Sequence, residues 1–97
     1  MPVHFLAIVR AQLAEQVFLD LAAQGQVEAL VAEEVQGSGT RTTGIGSEVE
    51  LLPKVAISGI VESADLDQMV QALRTHACTG RSGDGKIFCF PVISDLD

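Results

Sequence analysis

The apolar residues of this chain change their spacing in an order that leaves few folds open. Residues 3–9 form a short apolar run bounded by Arg10, which suits a strand. Leu13, Val17 and Leu21 then recur every fourth residue, with Ala14, Phe18 and Ala22 beside them and Gly25 after them. That is one apolar helix stripe followed by a glycine stop. Over residues 27–35 the period drops to two, so Val27, Ala29, Val31 and Val35 are expected on one strand face. Residues 49–61 alternate again through Val49, Leu51, Val55, Ile57 and Val61, and Pro53, having no N–H to donate, predicts a bent or unpaired point. Ser63 reads as the N-cap of a second helix, with Asp65 and Asp67 where the dipole favours negative charge. Leu66, Met69, Val70, Leu73 and Ala77 make its stripe and Gly80 its stop, and residues 87–93 form a last strand.

Strand, helix, strand, then strand, helix, strand: two such halves predict one α+β domain over residues 1–97. The architecture expected is a ferredoxin-like βαββαβ sandwich, an antiparallel sheet with both helices on one face. The last strand carries Phe88, Phe90 and Val92 on one side and Ile87, Cys89 and Ile93 on the other. A strand apolar on both faces asks for cover on both, and the chain has no third layer to give. Oligomerisation through the open sheet face follows as an expectation; the alternative is a small exposed patch of the kind monomers tolerate. Residues 37–47, with four glycines and three threonines, read as a loop.

Composition removes several function classes. With 47% hydrophobic and 20% charged residues the chain is not of the disordered type. No apolar run approaches the roughly 20 residues that span a bilayer, and no cleavage site follows the first run, so a cytoplasmic protein without membrane insertion is expected. The formal charge of -7 repels phosphate backbones, and the absence of Trp and Tyr removes the best base-stacking platforms, so nucleic acid is not an expected partner. Cys78 and Cys89 form no CxxC pair and only two histidines are present, so no metal constellation is visible and buried thiols are expected. Glu33 and Glu34 are adjacent and so point to opposite strand faces, which rules them out as an acid–base pair. His4 starts a strand and His76 sits near a helix end, where a structural role suits the dipole.

Seven of the nine glycines fall within residues 37–46 and 80–85. Residues 37–46 and 79–86 together carry +2 through Arg41, Arg81, Asp84 and Lys86, whereas the rest of the chain carries -9. Glycine lets successive N–H groups close around an anion, and a neighbouring cation neutralises it. A phosphate or carboxylate ligand fits that pattern; so does a pair of solvated turns, because neither stretch has the spacing of a P-loop or a dinucleotide fingerprint.

Residues 79–88 read Thr-Gly-Arg-Ser-Gly-Asp-Gly-Lys-Ile-Phe. This stretch strongly resembles the T-G-x-x-G-D-G-K-I-F signature of the PII signal-transduction family. Glu34-Val35-Gln36-Gly37-Ser38-Gly39 and Leu52-Pro53-Lys54-Val55 resemble the opening and the return of that family's long loop, in the same order. The resemblance covers nearly the whole chain, from Ile8-Val9-Arg10 onward. It implies a homotrimer that binds ATP, ADP or AMP in clefts between subunits and signals through the loop to a regulated protein, such as a transporter or a carbon-fixation component. By position, Gly83, Asp84, Gly85 and Lys86 would hold phosphates, and Gly37, Gly39, Thr40 and Arg41 would approach from the neighbouring subunit. Ile8, Val31 and Ile60 would line the nucleotide.

The departures from the pattern carry their own implications. The loop is shorter than usual and the chain has no tyrosine, which excludes the loop uridylylation of many bacterial members. Arg41 stands where the family's 2-oxoglutarate and magnesium site uses Gln, so another small anion, held bidentately, becomes the expectation. Val31 replaces an adenine-reading threonine, and the sequence ends at Asp97, before the arginines that grip ATP phosphates. Looser base selectivity and competition by ADP or AMP are the expected results. These features resemble the short, unconventional PII-like branch associated with carboxysomes, where bicarbonate is a proposed signal. Lys54 fits both an anion contact and a solvated strand lysine. Two other readings remain on this fold: an enzyme such as an acylphosphatase or weak ATPase, for which no nucleophile–base pair is visible, and a non-nucleotide structural or metal-linked trimer.

Overall fold

The computed structural model describes residues 1–43, 46–77 and 85–91. Strand β1 (Pro2–Arg10) leads into helix α1 (Ala11–Gln24), followed by β2 (Glu28–Thr43), β3 (Gly46–Glu62), helix α2 (Leu66–Ala77) and β4 (Gly85–Pro91). The four strands make one sheet in the order β2-β3-β1-β4, every neighbouring pair antiparallel. This is the predicted βαββαβ arrangement, with the first and third strands at the centre.

The apolar periods place the core. Phe5, Ala7 and Val9 of β1 and Ile57 and Val61 of β3 alternate onto one sheet face, where α1 buries Ala14, Val17 and Leu21 and α2 buries Met69, Leu73 and Ala77. Phe18, Leu66 and Val70 pack half-buried around this cluster, as their stripes require, but Ala22 lies exposed at the stripe's margin. Gly25 closes α1 in the left-handed conformation, with φ 71°. Asp67 lies in the first turn of α2, as expected from its dipole. Ser63 does not cap that helix. It opens a one-turn 3-10 helix (Ser63–Asp65), and its backbone N–H instead donates to the Met1 carbonyl at 2.9 Å.

Four expectations need correction. Residues 37–47 are not a loop in their described part: β2 runs on to Thr43 and β3 starts at Gly46, so the hairpin ladder pairs Gly37 with Leu52 through Thr43 with Gly46. The antiparallel ladder accommodates glycine, and threonine is itself a strand former. Pro53 stays in register opposite Gln36, with neither bulge nor gap. Pairing between β1 and β3 ends at Arg10–Lys54, so from Pro53 outward β3 has a neighbour on one side only, where a residue without an N–H is tolerated.

The third correction concerns β2. Glu28 pairs with Ile60 and Val31 with Ser58, so Ala29 and Leu30 together oppose Gly59. This bulge puts Val31 outside and leaves it 55% exposed, while Val27 and Leu30 pack half-buried against the core. Fourth, Cys89 is exposed rather than buried, because β4 is an edge strand. Cys78, the helix stop at Gly80, and Val92 and Ile93 lie outside the described residues.

Beyond Arg10–Lys54, residues 37–43 and 46–52 continue as a two-stranded arm of seven residues a side, roughly 23 Å long. The arm accounts for the long axis of a molecule measuring 53 × 25 × 19 Å. No helix among the described residues is long and apolar enough to cross a membrane.

Candidate functional site

The sheet face away from the helices is laid out in rungs by the strand registers. The rung nearest the arm holds Val35, Lys54 and Arg10 on β2, β3 and β1. The next holds Glu33, Ala56, Ile8 and position 86; then come Val31, Ser58, Leu6 and position 88, and then Glu28, Ile60, His4 and position 90. Leu6, Ile8, Ala56 and Ile60 are only half-buried, and among the described residues no element covers them.

Arg10 and Lys54 stand directly opposite each other. Two like charges directly opposite each other weaken a sheet unless other groups compensate. Lys54 is buried, at 8% exposure, and both side chains are engaged within the folded chain. Lys86 lies one rung along on β4, opposite Ile8, with Gly85 opposite Val9. Three basic positions and two glycine positions, 37 and 85, therefore converge where the arm leaves the sheet.

A cleft of about 540 Å³ opens at this arm root, lined by Ala11, Glu34, Val35, Gln36, Pro53, Lys54 and Val55. Its size falls in the range of small-molecule sites. The sequence had pointed to Leu52-Pro53-Lys54-Val55 and Glu34-Val35-Gln36 as loop boundaries, with Lys54 also a candidate anion contact, and six of those seven residues line the cleft. Arg10 was missed because nothing in a linear sequence announces a cross-strand partner; only the register brings it to Lys54.

The eleven predicted residues divide into groups. Ile8, Gly85 and Lys86 come together at the arm end of β1 and β4. Val31 and Ile60 share the open face but lie near the far end of β2 and β3, roughly 15 Å from Lys86 across two or three strands. Gly37, Gly39, Thr40 and Arg41 run out along the arm, opposite Leu52, Glu50, Val49 and Glu48. Gly83 and Asp84 lie outside the described residues. Among the described residues, no three His, Cys, Asp or Glu side chains form a metal-holding group.

The family described as nitrogen regulatory protein P-II matches residues 4–95. This chain belongs to the P-II family. Nitrogen regulatory protein P-II 1 of Methanothermobacter thermautotrophicus is 37% identical over 93 residues, covering 90% of this chain and 80% of its relative. The P-II protein of a Synechocystis species is 36% identical over 94 residues, covering 91% and 83%. Among solved structures, B. subtilis GlnK in its ATP complex superposes with a TM-score of 0.73 at 25% identity, over 92% of this chain and 79% of that one. The P-II match spans both glycine-rich stretches and the arm between β2 and β3, so the cleft at the arm root is built from family sequence on every side.

Proposed function

We propose that this chain is a P-II regulator that assembles as a trimer and binds ADP, ATP or AMP between subunits, reporting the bound state through the arm. The observation that carries this reading is the division of the site residues. Ile8, Gly85 and Lys86 occupy one end of the open face, and Val31 and Ile60 lie roughly 15 Å away on the same face. One nucleotide cannot touch both groups of a single chain at once through its base and its phosphates without crossing bare apolar sheet. Two chains packed by their open faces bring the phosphate end of one to the apolar patch of the next. Burying Leu6, Ile8, Ala56 and Ile60 supplies the driving force for that assembly. The ATP complex of B. subtilis GlnK, a structural neighbour, supports the ligand class.

In this reading Lys86 pairs with phosphate charge, the glycine amides at 37, 39, 83 and 85 cradle it, and Asp84 orients the backbone or Lys86. The second ligand is a small anion. Arg10 and Lys54, opposed on one rung, and Arg41 on the arm supply positive charge for a planar carboxylate-like group such as bicarbonate. The regulated protein meets the arm. The curated relatives are named for regulation, and this chain is read as a regulator rather than an enzyme.

Calorimetric titration with ATP, ADP and AMP, each with and without bicarbonate or 2-oxoglutarate, tests the reading beside a mass measurement in solution. A trimer with saturable nucleotide binding is expected. Lys86→Ala should weaken binding by about 10- to 100-fold, as loss of one charge-assisted contact implies. A trimer that binds no nucleotide would instead favour the structural assembly.

A further inference from the structure

Ala29 has φ 53°, the only non-glycine positive φ among the described residues. It sits in the bulge where Ala29 and Leu30 together oppose Gly59. The surroundings are shaped to keep that bulge. A Cβ on Gly59 would lie 2.5 Å from Val27 Cγ1 and 3.0 Å from the Phe5 ring, so those two side chains fill the space a normal strand residue would need. Leu30 packs against the core, and Val31 emerges on the other side.

The sequence offers β2 a second register. Without the bulge, every residue after it slips by one partner, and a slip of one moves each side chain to the opposite face. Val27, Ala29, Val31 and Val35 would then all point toward the helices, as their alternation alone demands. Leu30, Ala32 and Glu34 would point outward. This competitor satisfies the apolar pattern and needs no left-handed alanine. The observed register instead presents Val31, Glu33 and Val35 on the open face, beside Lys54 and Ala56.

We propose that Ala29 is a positioning residue: by accepting the left-handed backbone it holds β2 in the bulged register, and so decides which β2 side chains a bound nucleotide and a neighbouring subunit meet. The nucleotide part rests on the function proposed above; the register part stands without it. Left-handed strain that persists in a strand marks a place where the surrounding structure has reason to hold it.

The test is a series at position 29, Ala29→Gly, Ala29→Asn, Ala29→Thr and Ala29→Val, because two accounts order it oppositely. Tolerance of positive φ ranks Gly and Asn at or above Ala, and Thr and Val below it. Strand propensity ranks Val and Thr first. Register is read by cross-strand disulfides in a Cys78→Ser, Cys89→Ser background. Glu33→Cys with Ala56→Cys closes in the bulged register, where those residues are partners, and Ala32→Cys with Ala56→Cys closes in the slipped one. We expect the 33–56 bridge to dominate in Ala, Gly and Asn, and the 32–56 bridge to gain at least tenfold in relative yield in Thr and Val. ADP affinity should follow the same order, falling tenfold or more in Val and restored by Gly. Gly and Asn retain the fold, so a failure of Val to fold leaves the comparison with Thr intact. An unchanged 33–56 yield across Thr and Val, or an affinity order that tracks strand propensity, overturns the proposal. If the parent protein binds no ADP but the bridges follow the expected order, the register role stands and the nucleotide reading falls.

Discussion

One hairpin, β2 with β3, passes through two different environments. Its inner half, from Glu28 to Gln36 and Pro53 to Glu62, has β1 alongside most of β3 and two helices across its face. Its outer half, residues 37–43 against 46–52, continues the ladder with no third strand beside it among the described residues. Leu51 there is 69% exposed, whereas Ile57, six residues further along the same strand, has no exposure at all. Both halves carry the β2–β3 ladder, but the inner half adds pairing with β1 and apolar burial against the helices, which makes it the better held. A ribbon of two strands is marginal in water, and a third strand or a packed layer is what fixes it. The arm is therefore the less firmly held half of the hairpin.

The largest way to sharpen that contrast is Phe5→Ala. Phe5 is fully buried under both helices and beside Gly59, and removing its ring should cost about 3–5 kcal/mol. For a domain of this size that is a large share of the total stability. Urea unfolding followed by circular dichroism reads the loss as a lower midpoint. A cost below about 1 kcal/mol would mean that the inner half is not the anchor described here.

Glycine gives a finer comparison. Gly59→Ala sets a methyl 2.5 Å from Val27 Cγ1 and 3.0 Å from the buried Phe5 ring, and should cost about 1–3 kcal/mol. At the arm root, Gly37→Ala meets only the Lys54 Cγ at 3.3 Å, on a flexible side chain. Its cost should stay within about 0.5 kcal/mol in the same assay. Equal costs at the two positions would erase the distinction between the halves.

How much of this was legible in the sequence follows the same line. The helix stripes and β3 were readable because burial had stamped a period on them, as at Val17 and Leu21, and β1 because its short apolar run stops at Arg10. The glycine stop at residue 25 was readable because a left-handed cap has few alternatives. Residues 37–47 of the arm were misread as a loop because glycine and threonine carry no apolar period, whereas residues 49–52 were already read as strand. The faces of β2 were misread because alternation assumes a regular ladder, and a bulge at Ala29 breaks the count without changing composition. For the site, the glycines and Lys86 announced themselves by type and charge. Arg10 opposite Lys54 did not, because that pairing exists only once the core has set the register across the 43 residues between them.

The smallest expected effect is the most direct test of the comparison. Replacing residues 38–51 with Asn-Gly joins Gly37 to Leu52, which already face each other, through a turn suited to a two-residue hairpin. The excision removes no residue of the buried core and shortens the closed loop, which slightly favours folding. The unfolding free energy should therefore remain within about 0.5 kcal/mol of the parent's, by the same urea titration. Nucleotide binding is the contrasting readout, since Gly39, Thr40 and Arg41 leave with the arm while Lys86, Ile8 and the cleft floor remain. Unchanged stability with weakened ADP binding would assign the sheet to folding and the arm to the ligand. A loss of several kcal/mol would instead show that the arm folds as part of the core, and the two halves of the hairpin would have to be treated as one.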